Sequence, residues 1–130
     1  AAQKLVRSMK SKKIHVVDSN ILVLGFTFKE NCPDVRNTEV ATLIRELEYH
    51  NAKVDVYDPW ACKDEVMHEY GLDLISGFEN GKRYDAIVCA VGHDQFKDFS
   101  HKTIFELAKN EHVVFDMKAA LDESIVDIRL

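Results

Sequence analysis

The 130-residue sequence has few of the residues that staple or punctuate a chain: three cysteines, five glycines and two prolines. Cys32, Cys62 and Cys89 are odd in number and far apart, which builds neither a disulfide framework nor a zinc ligand set, so they read as reduced thiols. Basic charge is also short. Seventeen Lys and Arg face 22 Asp and Glu, and a net charge of -5 offers no broad cationic field, which argues against a nucleic acid partner. Long apolar runs are missing: the longest, residues 21–28, is interrupted by Gly25 and Thr27 and falls far below the roughly 20 residues of a membrane-spanning helix. The basic first 13 residues contain no apolar segment of a secretory signal, so a cytoplasmic location is the default expectation. His15, His50, His68, His101 and His112 have no metal-ligand spacing, and no metal site is expected.

What remains, 46% hydrophobic and 30% charged, suits one globular domain able to bury a core without staples. Short apolar runs alternate with helix-period segments, the pattern of an α/β fold with a doubly wound parallel sheet. Strands are expected at 20–26, 53–58, 72–75, 85–91 and 112–117. The first and fourth are almost continuously apolar, as central strands are. Between the first two, Val40, Leu43, Ile44 and Leu47 recur on one helical face, predicting a helix over 38–50 with Asn37 or Thr38 as its cap. Further helices are expected at 62–70, ended by Gly71, and at 100–110. Leu5, Val6 and Met9 have helical spacing in residues 1–13, which read as the end of a helix begun elsewhere, bound to fray or to pack on a neighbour.

Open α/β sheets bind ligands beyond the carboxyl ends of their strands, and the first such loop, residues 25–38, is unusually long. It holds a single glycine, so it is not the G-x-G-x-x-G turn that lets a backbone approach a pyrophosphate. Phe28, Lys29 and Arg36 instead offer an aromatic plane, an ammonium and a guanidinium, a set suited to a phosphorylated ligand. The alternative is that Phe28 is core, Lys29 is solvated and Asp34 pairs with Arg36 to order the loop. Asp58 stands where dinucleotide-binding domains place a ribose-binding acid, but with Pro59 it reads rather as a turn. His93 could act as a general base or order the loop after the fourth strand, and with no partner evident the ordering role is favoured. Tyr49 and Lys53 share the Y-x-x-x-K spacing of short-chain dehydrogenases, yet Lys53 should open a strand, so the match is coincidental. Lys118 follows the last expected strand, where its charge could join that of Lys29 around one phosphate. A phosphorylatable receiver domain is excluded, because its acidic pair and phosphoacceptor positions hold Gly25-Phe26 and Ser76-Gly77.

Taken in order, V-L-G-x-x-F-K (Val23 to Lys29), D-x-R-x-T (Asp34 to Thr38), Y-D-P (Tyr57 to Pro59), D-A-I-V (Asp85 to Val88) with His93 and Phe96, and V-F-D-x-K (Val114 to Lys118) resemble the C-terminal domain of the UDP-glucose/GDP-mannose dehydrogenase family. The wording FKENCPDVRNT is most like its bacterial UDP-N-acetylhexosamine branch, which serves capsule or O-antigen synthesis. The resemblance implies a three-layer, Rossmann-like domain over 14–130 that binds the nucleotide sugar, with 1–13 as the tail of an upstream helix or a linker. It implies an NAD-dependent oxidation of a UDP-sugar at C6 by a larger protein with an N-terminal NAD-binding domain, a central helix and a homodimeric assembly. Phe28, Lys29 and Lys118 would contact substrate, and Arg36 the cofactor. Lys118 replaces an arginine common in relatives, keeping the charge and losing the bidentate fork. None of the three cysteines has the G-G-x-C context of the family's nucleophile, so no catalytic residue is assigned and the 130 residues alone are expected to be inactive. A non-enzymatic nucleotide-binding or interaction module with the same fold is the alternative.

Overall fold

In a computed structural model describing all of residues 1–130, the apolar run at the start of the fold forms β1 (Asn20–Leu24), whose last four residues are buried. It pairs in parallel with β2 (Lys53–Tyr57) on one side and β3 (Tyr84–Cys89) on the other. β4 (Ala108–Asp116) and the two-residue β5 (Ile128–Arg129) complete a five-stranded parallel sheet of order β2-β1-β3-β4-β5. β3 is therefore the centre and β1 its neighbour, which explains their near-continuous hydrophobicity: both faces of each are covered. Successive side chains alternate between the two faces. Ile21, Val23, Ala86 and Val88 face α1 (Ala2–Ser11) and α2 (Val40–Tyr49), together with Val66 of α3 (Lys63–Tyr70). Leu22, Leu24, Ile87 and Cys89 face α4 (Asp94–Lys97), α5 (His101–Leu107) and a short 3-10 helix, Glu123–Ile125. The three-layer doubly wound expectation holds.

The helices form for local reasons. α2 buries Val40, Leu43, Ile44 and Leu47 on one stripe, and the Thr38 hydroxyl accepts the Val40 N–H at 3.1 Å. α3 stops at Gly71, which takes the left-handed conformation at φ 68°. α5 begins with a reciprocal Ser100–Thr103 capping box. Burial pushes the Cys89 thiol, on the α5 side of β3, up to about 12, with the Asp116 carboxylate adding to the effect.

Three expectations need correction. Residues 72–75 are not a strand: Ile75 donates one backbone bond to Val56, and buried Leu74 plugs the core beneath an irregular segment. The helix predicted to Asn110 ends at Leu107, because Ala108 pairs with Tyr84 and begins β4 four residues before the expected start. β5 was not expected at all. Of the two outcomes expected for residues 1–13, packing is the one seen: Ala2, Leu5, Val6 and Met9 are buried in the same core as α2. Lys12 also reaches Asp127 at 3.0 Å, joining α1 to the segment that leads into β5.

Candidate functional site

From β1 the chain turns one way to β2 and then crosses back past β1 to β3. The carboxyl ends of β1 and β3 thus form the switch point at which open α/β sheets bind ligands. Gly25 makes that crossing possible. Its φ is +96°, and a Cβ there would lie 2.5 Å from Cβ of Val91, the residue carrying the chain out of β3. The glycine serves strand crossing, not the approach of a pyrophosphate.

A cleft of about 570 Å³ opens at this edge, between the start of α2 and the segments following β1, β3 and β4. Phe28 and Lys118 both line it, with Thr38, Thr42, Val91 and Met117 among the other walls. Phe28 is not core as one alternative had it: its side chain is 60% exposed, leaving the ring free to stack on a planar ligand. Lys29 is exposed next to it, outside the cleft lining, and neither Lys29 nor Lys118 takes part in an ion pair. The structure therefore brings Phe28 and Lys118 to one cavity and leaves Lys29 at its rim. Glu39 and Glu46 line the same cavity, so Lys118 is the one side chain of its lining whose charge attracts an anion.

Arg36 does not line the cleft. Its guanidinium binds the Asp34 carboxylate through two bonds, at 3.0 and 2.9 Å, and the Arg36 amide donates to the same group. Those hydrogen bonds hold the Asp34 carboxyl down at about 2 and raise the guanidinium above its ordinary value. The loop-ordering pair is thus present, with the Arg36 side chain still 81% exposed.

Beneath the loop lies a polar cluster whose members were singled out separately in the sequence. One Asp58 oxygen accepts from the amides of Phe26 at 2.6 Å and Thr27 at 3.0 Å and from His93 Nε2 at 2.9 Å. The other accepts from the amides of Trp60 at 2.7 Å and Ala61 at 3.2 Å. Both side chains of the Asp58–His93 pair are fully buried. Burial would push the Asp58 carboxyl up, but the bonds from His93, Phe26 and Trp60 outweigh it and hold the group below its ordinary value. On its other side His93 Nδ1 accepts the Asn31 amide at 2.9 Å, which fixes the neutral ring with its proton on Nε2. Asp58 is a turn residue and His93 orders its loop; the signal missed was that the two meet. Asp116, fully buried at the end of β4, plays a similar part, accepting from the amides of Lys118, Ala120 and Leu121.

The sequence over residues 22–123 matches the UDP-glucose/GDP-mannose dehydrogenase family, UDP binding domain. The chain belongs to this family. Among proteins similar to this UDP binding domain, the UDP-N-acetyl-D-glucosamine 6-dehydrogenase of Pseudomonas aeruginosa is 46% identical over 98% of the chain and 30% of that protein. The Salmonella typhi protein of the same name is 43% identical over 99% of the chain, and Protein CapL of Staphylococcus aureus is 35% identical over 98%. The chain spans about 30% of the length of these relatives. The fold is also that of the NDP-N-acetyl-D-galactosaminuronic acid dehydrogenase from Methanosarcina mazei, at a TM-score of 0.79 and 22% identity over 95% of this chain and 26% of that one. Within this UDP binding domain the residues at the carboxyl edge do not make a dinucleotide cradle, because Gly25 is the one glycine of its loop and Val91 occupies the space above it. No helix is long and apolar enough to cross a membrane.

Proposed function

We propose that residues 14–130 are the nucleotide-sugar-binding C-terminal domain of an NAD-dependent UDP-sugar 6-dehydrogenase that makes uronic acid precursors of capsule or O-antigen, and that residues 1–13 lead in from an upstream helix. The observation that carries this reading is the cleft at the switch point, lined by both an exposed aromatic ring and an unpaired lysine in a chain of this family. A uracil ring or sugar face would lie against Phe28, and the diphosphate would be drawn to Lys118 with Lys29 at the rim. NAD has no cradle among these residues, so it falls to an N-terminal domain of a longer protein, as does the oxidation itself. Arg36 would reach the cofactor side only by leaving Asp34. Partners are the UDP-sugar, that N-terminal domain with its central helix, and a second copy of the enzyme.

Calorimetric titration of the 130-residue chain with UDP tests the reading. Saturable binding is expected, with GDP binding more weakly. Lys118→Ala removes a charge-assisted contact of about 1.5 to 3 kcal/mol and weakens UDP roughly 10- to 150-fold. Lys29→Ala acts in the same direction and less strongly, because Lys29 stands at the rim. Equal affinity of wild type and Lys118→Ala would place the diphosphate elsewhere, and no UDP binding at all would favour an interaction module.

A further inference from the structure

In the Phe26–Asn31 segment every residue but Glu30 is fastened by a hydrogen bond, while the side chains of Phe28 and Lys29 stay exposed. Asp58 takes the amides of Phe26 and Thr27, and the Phe28 amide donates to the Asp34 carbonyl at 2.7 Å. The Thr27 hydroxyl donates to the Lys29 carbonyl at 3.0 Å, and its oxygen lies 3.2 Å from His93 Nε2. His93 Nδ1 takes the Asn31 amide, while the Asn31 side chain accepts the Asp94 amide at 3.1 Å. Trp60 closes the other face of the imidazole, its ring stacked at 6.1 Å and 27°. One buried imidazole therefore touches the carboxylate that holds the start of the loop, the hydroxyl that holds Lys29 and the amide that holds its end.

We infer that His93 is a positioning residue for nucleotide binding: its two ring nitrogens clamp the Phe26–Asn31 loop and so aim Phe28 and Lys29 at the cleft. The inference rests on the proposed nucleotide reading of that cleft. An imidazole fits the task because one rigid ring offers a donor and an acceptor joined through a single carbon. A donor alone would satisfy Asp58 and leave the Asn31 amide without a partner. An acceptor alone would repel the carboxylate. Glutamine is the one non-titrating side chain of similar reach whose terminal carbon also carries an N–H donor and an oxygen acceptor.

The experiment compares wild type, His93→Leu, His93→Gln and Thr27→Val in two readouts: amide exchange of Asn31 by NMR, referenced to Ile87 in β3, and the UDP dissociation constant well below each melting temperature. In His93→Leu, exchange at Asn31 is expected to speed by about tenfold or more relative to Ile87. UDP should weaken by about tenfold in the same variant, and His93→Gln should return both readouts to within about threefold of wild type. Thr27→Val, which keeps the His93 bonds to Asp58 and to the Asn31 amide, should weaken UDP about threefold by freeing the Lys29 carbonyl. Two results overturn the inference: normal Asn31 protection and UDP affinity in His93→Leu, or a His93→Gln protein that regains its melting temperature while UDP stays weak. If His93→Leu does not fold, His93→Gln and Thr27→Val decide the matter by the same readouts. If wild type does not bind UDP, the nucleotide reading fails on that measurement, and the exchange comparison still decides whether His93 clamps the loop.

Discussion

Replacing Asp58 with alanine is expected to cost about 3 to 5 kcal/mol of unfolding free energy, because it removes the carboxylate that a fully buried hydrogen-bond network shares. The loss has identifiable parts. Four backbone amides, those of Phe26, Thr27, Trp60 and Ala61, would lose their acceptor together with His93 Nε2–H. Buried donors left without partners cost more than the net worth of the bonds they made. A drop in melting temperature of roughly 10 to 20 °C follows for a domain of this size, measurable by circular dichroism. Survival of the fold with a change of only a few degrees would mean that water replaces the carboxylate. The pH dependence has a definite sign. Asp58 ionises below its ordinary value in the folded protein, so its contribution is complete above the unfolded value and is lost as pH falls through the folded one. Acidification below about pH 4 should therefore lower the melting temperature of wild type more than that of Asp58→Asn, whose amide does not titrate.

Gly25→Ala carries the second large expected effect. A methyl group would lie 2.5 Å from Val91 Cβ and 2.8 Å from its amide nitrogen, and the backbone at φ +96° is one that L residues rarely adopt. The clash involves backbone on both sides: the Leu24 carbonyl accepts from the Ala90 and Val91 amides, and the Gly25 amide donates to Tyr57. Nothing flexible can yield, so β1 and β3 would have to part at the switch point. A destabilisation of about 3 kcal/mol or more is expected, with loss of UDP binding in whatever fraction folds, since the cleft is built on that crossing. Denaturant midpoints check it, and a near-normal midpoint would show that the strands slide apart at little cost.

How far the sequence disclosed this arrangement depended on the range over which each signal acts. Continuous apolar stretches exposed β1 and β3 as interior strands, and the Val40–Leu47 periodicity marked α2, because both patterns are local. Residues 72–75 failed as a strand because apolar content reports burial, and Leu74 is buried without a ladder to join. β5 escaped because two residues show no alternation, and its register comes from Asp127, which exchanges bonds with Val114 through both backbone and side chain. At the site, Phe28 and Lys118 were chosen from their place after strands, which is a topological signal and survives without coordinates. The clamp was not readable. Asp58 and His93 lie 35 positions apart, and each alone looks like an ordinary loop residue. At Arg36 residue type left two readings open, a guanidinium for phosphate or a partner for Asp34, and the pair with the carboxylate two residues away is the one the structure contains.

The burial of Cys89 in the central strand gives the protein a built-in reporter of its own opening. Cys62 is exposed and Cys32 half-exposed, whereas Cys89 is shielded on the inner face and its thiol held far from ionisation. Because the thiolate is the species that alkylates, a short pulse of iodoacetamide on the native protein should modify Cys32 and Cys62 and spare Cys89. Labelling of Cys89 then requires β3 to leave the sheet, so its rate follows whole-domain unfolding and not loop motion. Mass spectrometry of the peptide carrying Cys89 would thus time that event in the unmutated chain, while the peptide carrying Cys32 times the loop that leads to Arg36.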